Sequence, residues 1–127
     1  MNMNTYKTAI RIARSLIEVT PHNFKHFSFL FKRNTVESVG WNKPNKTHPR
    51  SFRFGYRFNC IHSELDVINK FPNPLKEIGE YDLINIRLDR MGKVRLSKPC
   101  QICQHMLSVF SPKTITFSID ENEFGNL

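Results

Sequence analysis

The sequence predicts an α/β domain in which helices cover a mixed sheet, in three layers. Three observations carry that expectation. Hydrophobic residues recur at helical and at strand spacing in the order α-β-β-α-β-β-α-β, an order that builds one sheet flanked by helices. The 127 residues, 39% of them hydrophobic and eleven of them phenylalanine, suffice for one core but not for two. Two fragments, "NCIHSELDVINKF" at 59–71 and "SKPCQICQHML" at 97–107, crowd cysteines, a histidine and a glutamate at two separate helix starts.

Residues 5–19 carry Ala9, Ile12, Ala13, Leu16 and Ile17 at helical spacing, and Pro21 stops the pattern. "FKHFSFLFKRN" sets Phe27, Phe29 and Phe31 on one face of a strand, with a turn at 32–34, and "TVESVGW" returns as a second strand. In "NKPNKTHPRSFRFGYR" two prolines and a glycine break every period, so a loop is expected. Within it Phe54, Tyr56 and Phe58 alternate with Arg53 and Arg57. That is the pattern of a short strand with one buried face, and also the aromatic-basic interleaving of single-strand binders. A helix over 61–71 carries Ile61, Leu65, Ile68 and Phe71 inward until "FPNP" ends it. "YDLINIRLDR" and "KVRLS" form two strands around a turn at "MG", and Pro99 opens a helix over 99–109. "KTITFSI" is the last strand; 119–127 is expected to be a loose tail. One domain spans 1–127, without repeats or low-complexity segments.

Charge narrows the partners. The formal net charge is +8, which favours anionic ligands. Between Glu37 and Glu64 no acidic residue occurs, while Lys43, Lys46, Arg50, Arg53 and Arg57 fall in that gap. A solvated surface loop is the plain reading of such a run, but this one directly precedes the cysteine-histidine fragment. No apolar run approaches the roughly 20 residues that span a bilayer, and the N-terminus lacks a secretory signal pattern. The expectation is a soluble, intracellular (cytoplasmic) protein that does not engage a membrane.

Cys60, Cys100 and Cys103 are an odd count, which argues for thiol or metal chemistry over a disulfide frame. Cys100 and Cys103, three apart at a helix start, share one face and can grip one metal. The unpaired N–H groups there favour thiolates. His62, at the start of the other helix, would be the third ligand. Three protein ligands leave a fourth tetrahedral position for water, whose pKa a zinc ion lowers to about 7. Glu64 stands two residues on, placed to move protons without being a ligand. A closed four-ligand structural zinc site with Cys60 is the plainer alternative. Its Cys-x-His spacing is tighter than the usual two to four residues, and it leaves Glu64 without a role; Cys60 is read as a small buried hydrophobe. Buried cysteines that bind nothing, and a metal-bearing domain without activity, are the other two alternatives.

His62-Ser63-Glu64 followed by Pro99-Cys100-Gln101-Ile102-Cys103 resembles the H-x-E…P-C-x-x-C signature of zinc deaminases. On that motif pair the chain resembles the cytidine deaminase-like superfamily, of the cytidine/deoxycytidylate type, from its first helix to its last strand. "SVGWN" resembles the strand end of tRNA adenosine deaminases and related enzymes, where a Gly-x-Asn asparagine contacts the substrate sugar; Asn42 is the match. "IRLDRMGKVRLSKPCQIC" resembles small deaminase-like proteins with a hairpin before P-C-x-x-C. Ser63 stands where alanine is common, and the chain ends before the later helix and strand of many relatives, an abbreviated form of the fold.

The resemblance implies a three-layer fold holding one zinc ligated by His62, Cys100 and Cys103, with Glu64 as the proton-moving catalytic residue. It implies hydrolytic deamination at C4 of a cytosine nucleoside or nucleotide, with cytosine or adenine in single-stranded DNA or RNA as the second substrate class. Trp41 and His48 are candidates to line a base pocket beside Asn42, with a core tryptophan as the alternative for Trp41, and Arg50, in the basic loop, is expected to meet a phosphate. Relatives often assemble as dimers or tetramers, so a homo-oligomer is an open expectation. His22 and His26 are read as ordinary histidines, and His105 as pointing away from the site.

Overall fold

Asn2 starts the first helix by accepting the Thr5 N–H on its side-chain oxygen at 2.8 Å. This helix, α1 (Met3–Ser15), buries Tyr6, Ala9, Ile10 and Ala13. β1 (Lys25–Lys32) and β2 (Thr35–Trp41) then form an antiparallel hairpin. Its two turn residues, Arg33 and Asn34, have φ of 52° and 65°, the left-handed pair that matches the twist of adjoining strands. The short β3 (Lys43–Pro44), α2 (Pro49–Phe54) and β4 (Cys60–Ile61) lead into α3 (Ser63–Asn69) and α4 (Pro74–Glu77). β5 (Asp82–Leu88), β6 (Val94–Arg95), α5 (Gln101–Phe110), β7 (Thr114–Asp120) and β8 (Glu123–Asn126) complete the chain. This computed structural model describes residues 1–44, 46–56 and 60–127.

The main sheet runs β2-β1-β5-β7-β8, with β6 on β5. β5 and β7 are parallel, joined through α5, and the other pairings are antiparallel, so the sheet is mixed. Alternation along β1 and β5 divides the core. Phe27, Phe29 and Phe31 face α1 together with Ile84, Ile86 and Leu88. Leu30 and Leu83 face the other way, packing with Leu65 and Ile68 of α3 and Met106, Leu107 and Phe110 of α5. Period-2 strands with two apolar faces are what a sheet sandwiched between helices requires. On the α3 side, however, Ser28 and Asn85 break the apolar pattern, and they are direct cross-strand partners.

Gly40 lets α3 lie against β2. A Cβ there would meet the Val67 backbone nitrogen at 2.5 Å and the Ser63 carbonyl oxygen at 2.9 Å. The outer side of β2 is occupied by the same helix: Asp66 Oδ2 accepts the Trp41 N–H at 3.0 Å, and Lys70 Nζ donates to the Val39 carbonyl.

Three expectations are corrected. The tail is not loose. β7 runs to Asp120 and β8 pairs with it. Tyr6 fixes the turn between them by donating its hydroxyl to the Asp120 and Glu123 carbonyls at 2.6 and 3.1 Å. β8 is an edge strand whose Glu123 and Asn126 are exposed and whose Phe124 and Gly125 are half-buried, so little apolar patterning marks it. The basic loop contains a helix, α2, started by Pro49 and by His48, whose Nδ1 accepts the Arg50 N–H at 3.1 Å. Phe54 therefore closes a helix instead of opening a strand; Arg57 and Phe58 of the proposed alternation lie outside the described residues. Among the described residues no helix is long and apolar enough to cross a membrane.

Candidate metal centre

His62 is the N-cap of α3 and Cys100 the N-cap of α5, both in extended backbone. Helix α5 begins one residue after Cys100, not at Pro99. The Cys100 sulfur caps it by accepting the Cys103 N–H at 3.5 Å, which sets both thiols at the positive end of the helix. The two helices pack side by side, and His62 Nδ1 reaches Cys103 Sγ at 3.5 Å and Cys100 Sγ at 3.8 Å. The three donor atoms lie within 4.8 Å of one another, the only such cluster of three or more metal-ligating side chains among the described residues. Tetrahedral zinc, with Zn–S near 2.3 Å and Zn–N near 2.0 Å, sets its nitrogen and sulfur ligands about 3.6 Å apart. The donor set fits that ion in type and in spacing.

Without a metal the donors share protons unevenly. The hydrogen bond from Cys103, joined by that from His62, pulls the Cys100 thiol down to about 4. The same Cys100 contact, followed by burial, pushes Cys103 up. His62 is raised through its hydrogen bond to Cys100, against the effect of burial and with help from the Glu64 charge. One negative charge thus rests on Cys100 between a protonated Cys103 and a proton-seeking imidazole, and an incoming cation displaces those protons. Tyr56, whose hydroxyl lies 2.8 Å from Cys103 Sγ and whose ring packs edge-on against His62 at 4.8 Å, closes the buried side.

Glu64 is 7% exposed, and its carboxyl is tied at both oxygens. Ser63 donates to Oε1 at 3.0 Å and Asn85 Nδ2 to Oε2 at 2.9 Å. Ser28 completes a ring, donating to Asn85 Oδ1 at 2.6 Å and lying 2.8 Å from the Ser63 hydroxyl. Ser28 has one hydrogen, and Asn85 Oδ1, an acceptor only, takes it. With Glu64 as carboxylate, Ser63 gives its own hydrogen to Oε1. Ser97, two residues past β6, braces the ring, accepting from Asn85 Nδ2 at 3.4 Å through its carbonyl and donating to the Asn85 backbone carbonyl at 2.7 Å.

A cavity of about 330 Å3 opens beside this cluster, lined by His62, Glu64 and Cys100 together with His22, His26 and Lys98. Burial, with Arg87 and His62 nearby, pulls His26 down to about 4, so its imidazole is neutral. Among the described lining residues Glu64 is the single acid. Cys60 lies on the rim, outside the three-donor cluster, and burial raises its thiol.

No family model matches the sequence, and no curated protein matches it either. Solved structures do. The cytidine deaminase of Burkholderia pseudomallei matches with a TM-score of 0.62 at 16% identity, over 94% of this chain and 89% of that one. The apo dCMP deaminase of cyanophage S-TIM5 matches with a TM-score of 0.59 at 15% identity, over 94% and 86%. The Mycobacterium leprae cytidine deaminase matches with a TM-score of 0.56 at 19% identity, over 99% and 93%. The chain has the cytidine deaminase-like fold.

Within the cytidine deaminase-like fold, the residues singled out in the sequence separate into two groups. His62, Cys100, Cys103 and Glu64 come together from two helices, and Asn42 lines the cavity. The Asn42 amide is itself held, with Oδ1 accepting the His26 N–H at 3.1 Å and Nδ2 donating to the Phe24 carbonyl at 3.3 Å. Trp41, His48 and Arg50 are not among the described cavity-lining residues. Trp41 turns toward the α1 side, with Lys43 and Lys70 amines 5.0 and 4.7 Å from its ring centre. His48 caps α2. Arg50 donates to Asn69 Oδ1 at 2.7 Å and lies over Phe110 at 5.9 Å, drawn to the far side of α3 and α5. Reading 43–57 as one loop missed that α2 turns these side chains away. Conversely His26, Ser28 and Asn85 were passed over. The only local signal is a polar residue interrupting each apolar strand, at positions that become cross-strand neighbours.

Proposed function

We propose that this protein is a zinc-dependent hydrolytic deaminase acting on the cytosine ring of a free nucleoside or nucleotide. One observation carries the reading: a buried glutamate, tied at both oxygens, faces a cavity at the edge of a three-donor His-Cys-Cys cluster. His62, Cys100 and Cys103 would hold the zinc. When bound, that ion would supply Lewis-acid chemistry that makes water a nucleophile at neutral pH. Glu64 accepts the proton of the attacking water, gives it to the ring nitrogen, and assists departure of the amine as ammonia. Cytosine and water are consumed, and uracil and ammonia leave. The fixed carboxyl supports general acid–base work because its lone pairs cannot turn away from the cavity. His26 and Asn42 offer neutral polar groups to a sugar. Lys98, with Glu64 the single acid among the described lining residues, favours a substrate carrying a phosphate. The solved cyanophage enzyme with dCMP and dUMP bound, which matches with a TM-score of 0.60, is in keeping with that choice.

A second reading, cytosine within a single-stranded nucleic acid, is favoured by a second groove. It is lined by Phe24, Arg87, Lys93 and Arg95, the last paired with Asp89, with Asp120 the one acid on the described lining. Phe24 is 52% exposed with the Arg87 guanidinium 4.2 Å from its ring centre, a stacking platform beside positive charge. The Phe24 carbonyl holds the Asn42 amide at the cavity lip.

Ammonia release from zinc-loaded protein tests both. Cytidine, deoxycytidine, their monophosphates and a mixed single-stranded oligonucleotide are compared, with Glu64→Gln as control. Turnover of a monophosphate that is only mildly salt-dependent, and lost in the control, supports the first reading. Turnover of the oligonucleotide alone, falling steeply with salt, supports the second. Turnover that survives Glu64→Gln refutes the role of Glu64.

A further inference from the structure

We infer that Asn85, braced by Ser28, is a positioning residue: it fixes the plane of the Glu64 carboxyl so that its free lone pairs face the cavity. The inference rests on the deaminase reading, and it assigns a task to residues outside both sequence motifs.

Three members of the ring Glu64–Ser63–Ser28–Asn85 are almost fully buried, and Glu64, 7% exposed, borders the cavity. Ser28 is 0% exposed, Ser63 2% and Asn85 3%. Burying four polar side chains where leucines would pack costs stability unless each is satisfied, and a satisfied buried network fixes one geometry. Each link has a directional reason. Ser28 and Asn85 face each other across β1 and β5, so the rigid sheet sets the Asn85 amide. The Asn85 carbonyl is the acceptor for Ser28, which leaves the amide nitrogen aimed at Glu64 Oε2. The Ser97 carbonyl at 3.4 Å lies beside that nitrogen and opposes a flipped amide, which would set oxygen against oxygen. Ser63, the residue between His62 and Glu64, holds the other carboxyl oxygen. The sheet, through Asn85, and the helix, through Ser63, therefore each fix one oxygen. A carboxyl on α3 alone would rotate about its last bond.

A general acid–base group off its line by a fraction of an ångström loses rate without losing affinity. The test uses zinc-loaded protein and the best cytosine substrate found above. Asn85→Ala and Ser28→Ala are each measured for kcat, KM, bound zinc per chain and Tm. The expected result is a fall in kcat of at least about 10-fold for Asn85→Ala, with KM within about twofold and one zinc retained. Ser28→Ala keeps the Asn85–Glu64 contact but frees the amide, and is expected to lower kcat by about threefold, again without a KM change. If Asn85→Ala does not fold, Ser28→Ala decides on the same readouts. Unchanged kcat in a folded, zinc-loaded variant overturns the inference, as does a loss wholly explained by lost zinc. A further readout also needs no turnover: the side-chain amide hydrogens of Asn85 exchange slowly with solvent in the native protein and quickly in Glu64→Ala. If the native protein turns over no cytosine substrate, the deaminase reading has failed and this role falls with it, even if the amide is locked. If it does turn over substrate and the amide exchanges freely, the positioning inference alone has failed.

Discussion

Replacing Gly40 by alanine presses directly on the helix that carries Glu64. The added Cβ meets the Val67 nitrogen at 2.5 Å and the Ser63 oxygen and Val67 Cα at 2.9 Å. All three are backbone atoms, so no side chain can swing aside. Ordinary contact begins at 3.4 Å, and α3 must therefore retreat from β2 by roughly 1 Å. Alanine suits a strand interior better than glycine by about 0.5–1 kcal/mol. Overpacking against rigid backbone typically costs about 1–3 kcal/mol and can cost more, so the net is destabilising. For a domain of this size the loss corresponds to a Tm lower by on the order of 5 °C. The second consequence is larger. A 1 Å displacement of α3 carries Ser63 and Glu64 off the Asn85 and Ser28 contacts, and a misplacement of that size is worth about 10²-fold in rate. Thermal melts and kcat at 25 °C on zinc-loaded protein measure both effects. A Gly40→Ala variant with native Tm and native kcat would refute the reasoning.

Three further outcomes are expected. Chelation of zinc-loaded protein lowers Tm by on the order of 8 °C when the metal had been present at a hundred times its dissociation constant, and Cys103→Ser abolishes that difference; a melt indifferent to both places no metal there. His26 has a folded pKa of about 4 against 6.5 when free, so folding favours its neutral form. Its contribution, at most about 3 kcal/mol, is complete above pH 6.5 and is lost as pH falls toward 4. Urea midpoints between those limits fall less in His26→Gln than in the native protein, and equal slopes would remove His26 as the cause. Deleting residues 121–127 removes β8, the Tyr6–Glu123 hydrogen bond and the Phe124 ring that packs 5.0 Å from Tyr6. That should cost about 3 kcal/mol or more in chemical denaturation; an unchanged midpoint would mean the strand contributes nothing.

The three-donor cluster was legible because its two parts are local. Cys100 and Cys103 are brought to one side by a single helical turn, and His62 and Glu64 by another. One packing event between α3 and α5 remained to be guessed, and the deaminase-like motif pair supplied it. The sheet was legible for a similar reason: Phe27, Phe29 and Phe31 repeat at period 2, and Pro21, Pro72 and Pro74 punctuate the helices. What escaped depends on contacts far apart in sequence. Ser28 and Asn85 acquire meaning only once the register of β1 on β5 sets them opposite each other. His26 enters the cavity from the rim of a strand whose neighbours are all core. Arg50 and His48 misled because charge was visible while the turn of α2 was not. Glu123–Asn126 misled because "ENEFGN" is polar, yet Gly125 lies flat against the Phe117 ring, where a Cβ would come within 2.6 Å.

The hydrogen bonds from α3 to the outer side of β2 bear on how copies of this chain can meet. An uncovered border strand invites a strand from another molecule, and with it runaway lateral growth. Here the Trp41 N–H and the Val39 carbonyl, which an added strand would need, are already taken by Asp66 and Lys70. Asp66 is further locked to Lys43 at 2.8 Å. An incoming chain would have to strip two charged side chains from the helix that holds Glu64. The Val39–Trp41 stretch of the border nearest the candidate site is thereby closed to sheet-to-sheet joining by side chains of this same chain.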